Sequence, residues 1–182
     1  NLPPVEKYRK AVSVSRIDFD KHTEVLLDAN RLLPDHLKIG IYGFENRIYT
    51  RFKIVPHYPE WEQSKVAYPR HTNAAYAILQ GAEFMVDMSI IKGDGGGTQY
   101  TTLEAWDAGC VPIIQKQWIM PDDDMRDKIN CLTVNSAEEL AELLQTDNKK
   151  FLDFYNGYGY QQLTLHAPEI IGTHYKAFLT QL

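Results

Sequence analysis

The chain has 182 residues, is 44% hydrophobic and 24% charged, and carries a net charge of −5. That fits one globular domain with its own core, and excludes a disordered tail, a collagen-like repeat and a coiled coil. The acidic balance weighs against a general nucleic-acid binder, and two cysteines, Cys110 and Cys131, are too few for a disulfide scaffold or a zinc site.

Asn1 to Lys10 opens with Asn-Leu-Pro-Pro and lacks the apolar stretch of a signal peptide. No run reaches the roughly 18 apolar residues of a membrane span. A cytoplasmic address is therefore expected. Ala11 to Ser15 reads as a first strand, followed by a polar turn from Arg16 to Lys21. Val25, Leu26, Ala29, Leu32 and Leu33 then recur at helical spacing until Pro34 stops the pattern. Leu37 to Phe44 reads as a second strand ending in a glycine turn at Gly43.

A third strand is expected near Phe52 to Val55, and a short alanine-rich helix over Asn73 to Gly81. Phe84 to Ile91 is a fourth strand with almost no polar interruption, the pattern of a strand buried on both faces. A glycine-rich loop, Lys92 to Gln99, leads into a helix over Thr101 to Ala108. Val111 to Ile114 and Cys131 to Val134 supply the fifth and sixth strands. Ser136 is placed to cap a helix carrying Leu140, Leu143 and Leu144 on its buried face. Helical segments follow Lys149, with breaks expected at Gly157, Gly159 and Pro168.

Strands alternating with helices predict the α/β class: a Rossmann-like, doubly wound parallel sheet of about six strands. Ligands of such sheets bind at the carboxyl ends of the strands. The strongest signal there is the loop with Gly93, Asp94, Gly95, Gly96 and Gly97, where the backbone can approach a ligand closely. Thr101 and Thr102 follow at a helix N-terminus, where free N–H groups attract phosphate. Glu104 falls in the first turn of that helix. Arg16 and Lys21 after the first strand suit a diphosphate, although loop charges taken alone are usually just solvated. The loop matches neither a Walker motif nor the dinucleotide fingerprint, the six histidines show no metal-ligand spacing, and no hydrolase triad is visible.

Ser15-Arg16-Ile17-Asp18-Phe19-Asp20-Lys21, the Ile39-Gly40-Ile41-Tyr42-Gly43 strand, and Thr102-Leu103-Glu104-Ala105-Trp106-Asp107-Ala108-Gly109-Cys110-Val111-Pro112-Ile113-Ile114 occur in that order. Together they resemble the C-terminal, donor-binding domain of retaining GT-B glycosyltransferases of the glycogen-synthase-like group. The resemblance covers roughly Ala11 to Leu144. It implies that residues 1–10 are a linker from a missing N-terminal acceptor domain. Residues 11–150 would be the nucleotide-sugar-binding domain, and 151–182 its C-terminal helices.

The resemblance further implies that Arg16 and Lys21 act catalytically on the donor diphosphate. Gly43, Asp94, Gly95, Gly96, Gly97, Thr101, Thr102 and Glu104 would bind the donor, with Glu104 on the ribose. The partner would be an NDP-sugar, UDP- or GDP-linked, with neither cofactor nor metal, and a hexose would pass to a glycan, protein or lipid. The Tyr100-to-Glu104 stretch with Ala108-Gly109-Cys110 also resembles viral DNA glucosyltransferases, which adds DNA as an acceptor. In one departure, Gly96 stands where the family places its first glutamate. An NDP-sugar epimerase and a non-catalytic degenerate domain are the alternatives. The domain alone is expected to be inactive, since nothing in it holds an acceptor.

Overall fold

The computed structural model describes residues 6–66, 74–90, 100–119, 124–147 and 149–170. Six strands form one sheet: β1 (Arg9–Val14), β2 (Gly40–Tyr42), β3 (Lys65–Val66), β4 (Ala82–Asp87), β5 (Val111–Gln115) and β6 (Leu132–Val134). Their order is β3-β2-β1-β4-β5-β6, and every pairing is parallel. The chain first winds outward from β1 to β3, then crosses back to lay β4, β5 and β6 on the other side of β1. The winding direction reverses between β1 and β4, and a crevice opens at their carboxyl ends.

The helices are α1 (Thr23–Leu32), α2 (Arg47–Tyr49), α3 (Trp61–Ser64), α4 (Ala74–Gln80), α5 (Tyr100–Asp107), α6 (Ala137–Gln145) and α7 (Lys149–Leu165). Strand side chains alternate between two helical layers. Ala11, Phe84, Val86, Val111 and Ile113 pack with Leu26 and Leu27 of α1 and Leu140 and Leu144 of α6. Val12, Val14 and Met85 pack on the opposite face with Ile78 and Leu79 of α4 and Ala105 of α5. Burial on both faces explains the apolar run in β4. Ser136 caps α6 as expected: its Oγ accepts from the Glu139 N–H at 3.2 Å, while the Glu139 carboxylate accepts from the Asn135 N–H at 2.8 Å.

Three expectations need correction. The third strand is Lys65–Val66, not Phe52 to Val55; Thr50–Ile54 is a π-helical turn that continues α2. The β-branched and aromatic residues of this segment suggest a strand. However, Tyr49, Thr50 and Ile54 are buried while Ile48, Phe52 and Val55 are exposed, which is a helical pattern. Asn46 starts the helix by accepting from the Ile48 and Tyr49 N–H groups.

The C-terminal helix does not break at Gly157 or Gly159; α7 runs through both to Leu165. A Cβ at position 159 would come within 2.3 Å of the Trp106 ring, so this glycine lets α7 press against the indole. The indole N–H in turn donates to the Asn130 carbonyl at 2.9 Å. Finally, α5 begins at Tyr100, which places Glu104 beyond the first turn. Among the described residues no helix is long and apolar enough to cross a membrane.

Candidate functional site

The loops leaving β1 and β2 run side by side. The Ser15 N–H donates to the Tyr42 carbonyl at 3.1 Å, Ile17 N–H to Phe44 at 3.0 Å, and Asn46 N–H to Ile17 at 2.9 Å. Gly43 makes this approach possible. A Cβ there would lie 1.7 Å from the Ser15 carbonyl oxygen, a backbone atom that has no room to retreat. The loop after β4 is tied in as well, through the Ile90 N–H and the Asp20 carbonyl at 3.3 Å.

A cavity of about 220 Å³ opens where these loops meet α5. Val14, Ser15 and Arg16 come from β1 and its loop, Gly43 and Phe44 from the end of β2, Ala75 from α4, and Thr101 and Glu104 from α5. It sits at the reversal point of the sheet, where doubly wound folds bind ligands. It is smaller than the roughly 300–1,000 Å³ of a site enclosing a drug-sized ligand. A nucleotide sugar would fill it with part of its length only.

Four of the residues singled out in the sequence therefore share one wall: Arg16, Gly43, Thr101 and Glu104. Arg16 is two-thirds exposed, and its guanidinium lies 3.3 Å from Asp18 and 3.4 Å from Asp20. Asp18 is itself held by the Phe19 N–H and the Asn46 side-chain amide, both at 2.8 Å. Lys21 is arranged differently. It is 9% exposed, and its ammonium donates to the Ser89 hydroxyl at 2.8 Å and lies 3.8 Å from Asp87. The Ser89 N–H and hydroxyl both donate to the Asp87 carboxylate. Lys21 is therefore not a solvated loop charge. Thr102 is buried and belongs to the inner face of α5 rather than to the cavity wall. Asp94, Gly95, Gly96 and Gly97 lie outside the described residues.

Sequence reasoning does not single out Phe44 or Asp87, while Ser89 stands at the start of the Ser89–Thr102 segment expected at the ligand-binding edge. Phe44 lines the cavity with 70% of its surface exposed, an unusual position for a large apolar ring. Its adjacency to the Gly43 turn was the available signal. Asp87 ends β4 and Ser89 follows in the loop, at the close of a run that otherwise reads as uniform core.

No family model and no curated protein matches the chain. Solved structures do. HepE from Anabaena, determined in complex with UDP and glucose, superimposes over 96% of the chain with a TM-score of 0.76 at 14% identity. TarM from S. aureus superimposes over 98% with a TM-score of 0.70 at 16% identity; the structure is that of a point mutant in complex with fondaparinux, alpha-GlcNAc-glycerol and UDP. The C-terminal domain of LpcC, a group 1 family glycosyl transferase from Francisella tularensis, matches over 87% with a TM-score of 0.66 at 17% identity. The chain has the C-terminal GT-B fold.

This GT-B domain spans 49% of HepE and 37% of TarM, but 86% of the LpcC domain. The chain thus spans about half the length of HepE and little more than a third of TarM.

Proposed function

We propose that this GT-B domain binds the nucleotide-sugar donor of a retaining glycosyltransferase. The observation that carries the reading is the convergence of Arg16, Thr101 and Glu104 on one cavity at the reversal point of the sheet. The complexes of HepE with UDP and glucose and of TarM with UDP support it. Thr101, in the first turn of α5, offers its backbone to phosphate at the positive end of the helix dipole. Glu104 accepts hydrogen bonds from ribose hydroxyls.

Arg16 contacts the diphosphate with its planar fork, while Asp18 and Asp20 hold it in place. Lys21, fixed on Ser89, adds a pre-placed positive charge. In the transfer step the bond between the sugar's anomeric carbon and the diphosphate oxygen breaks, and the electron pair leaves with the diphosphate. The acceptor hydroxyl attacks from the same face and gives its proton to a phosphate oxygen. Arg16 and Lys21 stabilise the charge that grows on the leaving group, which is electrostatic catalysis by groups already in position. The acceptor is a glycan, protein, lipid or DNA, held by a second domain. Without one, donor and acceptor are not brought together, and the chain by itself does not turn over.

Calorimetry with UDP and GDP tests the reading. Arg16→Ala should weaken binding by about 1.5–3 kcal/mol, as expected for a hydrogen bond to a charged group. Glu104→Gln and Glu104→Ala should both lose nucleotide affinity, the alanine form more, with little change in melting temperature. Affinity unchanged in all three variants, or melting shifts in place of affinity losses, would remove the assignment.

A further inference from the structure

The helical segment from Arg47 to Val55 carries a second surface feature, independent of the cavity. Tyr49, Thr50 and Ile54 lock its inner face into the domain. Its outer face presents Ile48, Phe52 and Val55, which are 63%, 64% and 50% exposed. They follow the i, i+4, i+7 spacing of an apolar stripe, here turned away from the core. Arg47, Arg51 and Lys53 are exposed beside it.

The charge around the stripe is one-sided. No acidic residue occurs between Glu45 and Glu60. Both flanking glutamates are engaged elsewhere: Glu45 with Lys65 at 2.8 Å, and Glu60 with Arg31 at 2.6 Å. Among the described residues Arg47, Arg51 and Lys53 have no ion-pair partner; Lys7, Arg9, Lys116, Arg126 and Lys128 also have none, but only these three stand together on one short helical segment. A chain with a net charge of −5 thus concentrates three unneutralised cations around three exposed apolar side chains.

We propose that this ridge docks the domain onto a bilayer surface bearing anionic headgroups. Apolar side chains flanked by Lys and Arg are the composition of an element that lies in a membrane interface, with the apolar face in the acyl boundary and the cations at the headgroups. The shape agrees. The side chains project from a helix that its buried face prevents from turning, and a protein partner would need a groove cut to match that ridge, whereas a bilayer needs none. Nucleic acid suits the cations but would strip water from Ile48, Phe52 and Val55 against a phosphate backbone.

The test is flotation of the 182-residue chain with phosphatidylcholine vesicles, with and without roughly 30% phosphatidylglycerol, at low and high salt. Binding should require the anionic lipid and weaken with salt. The double variant Ile48→Ser/Phe52→Ser should lose about tenfold or more in affinity. Arg51→Glu/Lys53→Glu should lose more, since each cation near such a surface contributes roughly fivefold. Circular dichroism checks that both variants fold, and nucleotide binding should be unchanged in both, because neither touches the cavity. Four results would overturn the proposal. One is an absence of vesicle binding. Another is vesicle binding that survives the serine variant. The third is duplex DNA binding that only the glutamate variant abolishes. The fourth is a chain that dimerises in solution and becomes monomeric on Phe52→Ser, which would assign the ridge to a second copy.

Discussion

The ammonium of Lys21 and the hydroxyl of Ser89 lie 2.8 Å apart and are joined by a hydrogen bond, although 68 residues separate them in sequence. The contact ties the loop after β1 to the loop after β4, across the point where the sheet reverses. Asp87 stands behind both groups, 3.8 Å from the ammonium and accepting from Ser89. Removing one partner of a buried charged pair costs about 3–5 kcal/mol, and the long separation puts Asp87→Ala at the lower end. Ser89→Ala should cost about 1–3 kcal/mol, the penalty for an unmade hydrogen bond. Urea unfolding of the two variants measures both. Shifts below about 0.5 kcal/mol, the scale of an ordinary surface change, would show that the cluster is not held together as described.

Gly43→Ala should be among the most damaging single-atom changes in the chain. The new methyl would meet the Ser15 carbonyl oxygen at 1.7 Å, so the β1 and β2 loops must separate. Overpacking of this kind costs about 1–3 kcal/mol or more. Because the same loops carry Ser15, Arg16 and Phe44 on the cavity wall, nucleotide affinity should fall together with stability. Thermal melting and calorimetry on one preparation read both.

The two glycines of α7 should respond in opposite directions. Gly157 is exposed and a Cβ there meets nothing within 4 Å. Gly157→Ala should therefore stabilise by up to about 1 kcal/mol through helix propensity. Gly159→Ala drives a methyl into the Trp106 ring and should destabilise by about 1–3 kcal/mol. A change in near-ultraviolet circular dichroism for Gly159→Ala alone would identify the indole as the displaced group.

Stability should fall in alkali. Burial pushes the Cys110 thiol up to about 12 from its ordinary 9.0. It pushes the Tyr58 hydroxyl up to about 12 from 10.0. Tyr49 is raised as well, by burial and then by its hydrogen bond to Glu24. Above about pH 9 for the thiol, and about pH 10 for the hydroxyls, the unfolded chain releases these protons while the folded chain keeps them. The folded state then binds more protons, and stability declines as pH rises toward about 12. Each group contributes up to about 1.4 kcal/mol per pH unit. Urea midpoints at about pH 8 and about pH 10.5 provide the comparison. In native conditions near pH 8 the Cys110 thiol should resist a thiol reagent that reacts promptly in urea.

The sequence by itself determined the class of the fold and pointed to four of the residues that line the candidate cavity. The alternation of apolar runs with helical periodicity marks a wound parallel sheet, because strands buried on both faces and amphipathic helices leave local signatures within a few residues. The turn at Gly43, the cap at Ser136 and the placing of Arg16, Thr101 and Glu104 after strands follow from the same local rules. Only the tertiary structure decided the rest. The segment from Phe52 to Val55 is rich in strand-forming residues, yet it turns as a helix because Asn46 caps it and Tyr49 and Ile54 find a core to fill. Gly157 and Gly159 look like breaks, yet α7 continues because its packing on Trp106 outweighs their weak propensity. Lys21 looks like a surface charge, yet Ser89 and Asp87 enclose it. The Asn46 cap is local, but the core that Tyr49 and Ile54 fill, the indole under Gly159 and the hydroxyl on Lys21 come from distant parts of the chain, and no local pattern can report a contact that exists only after the sheet has closed around it.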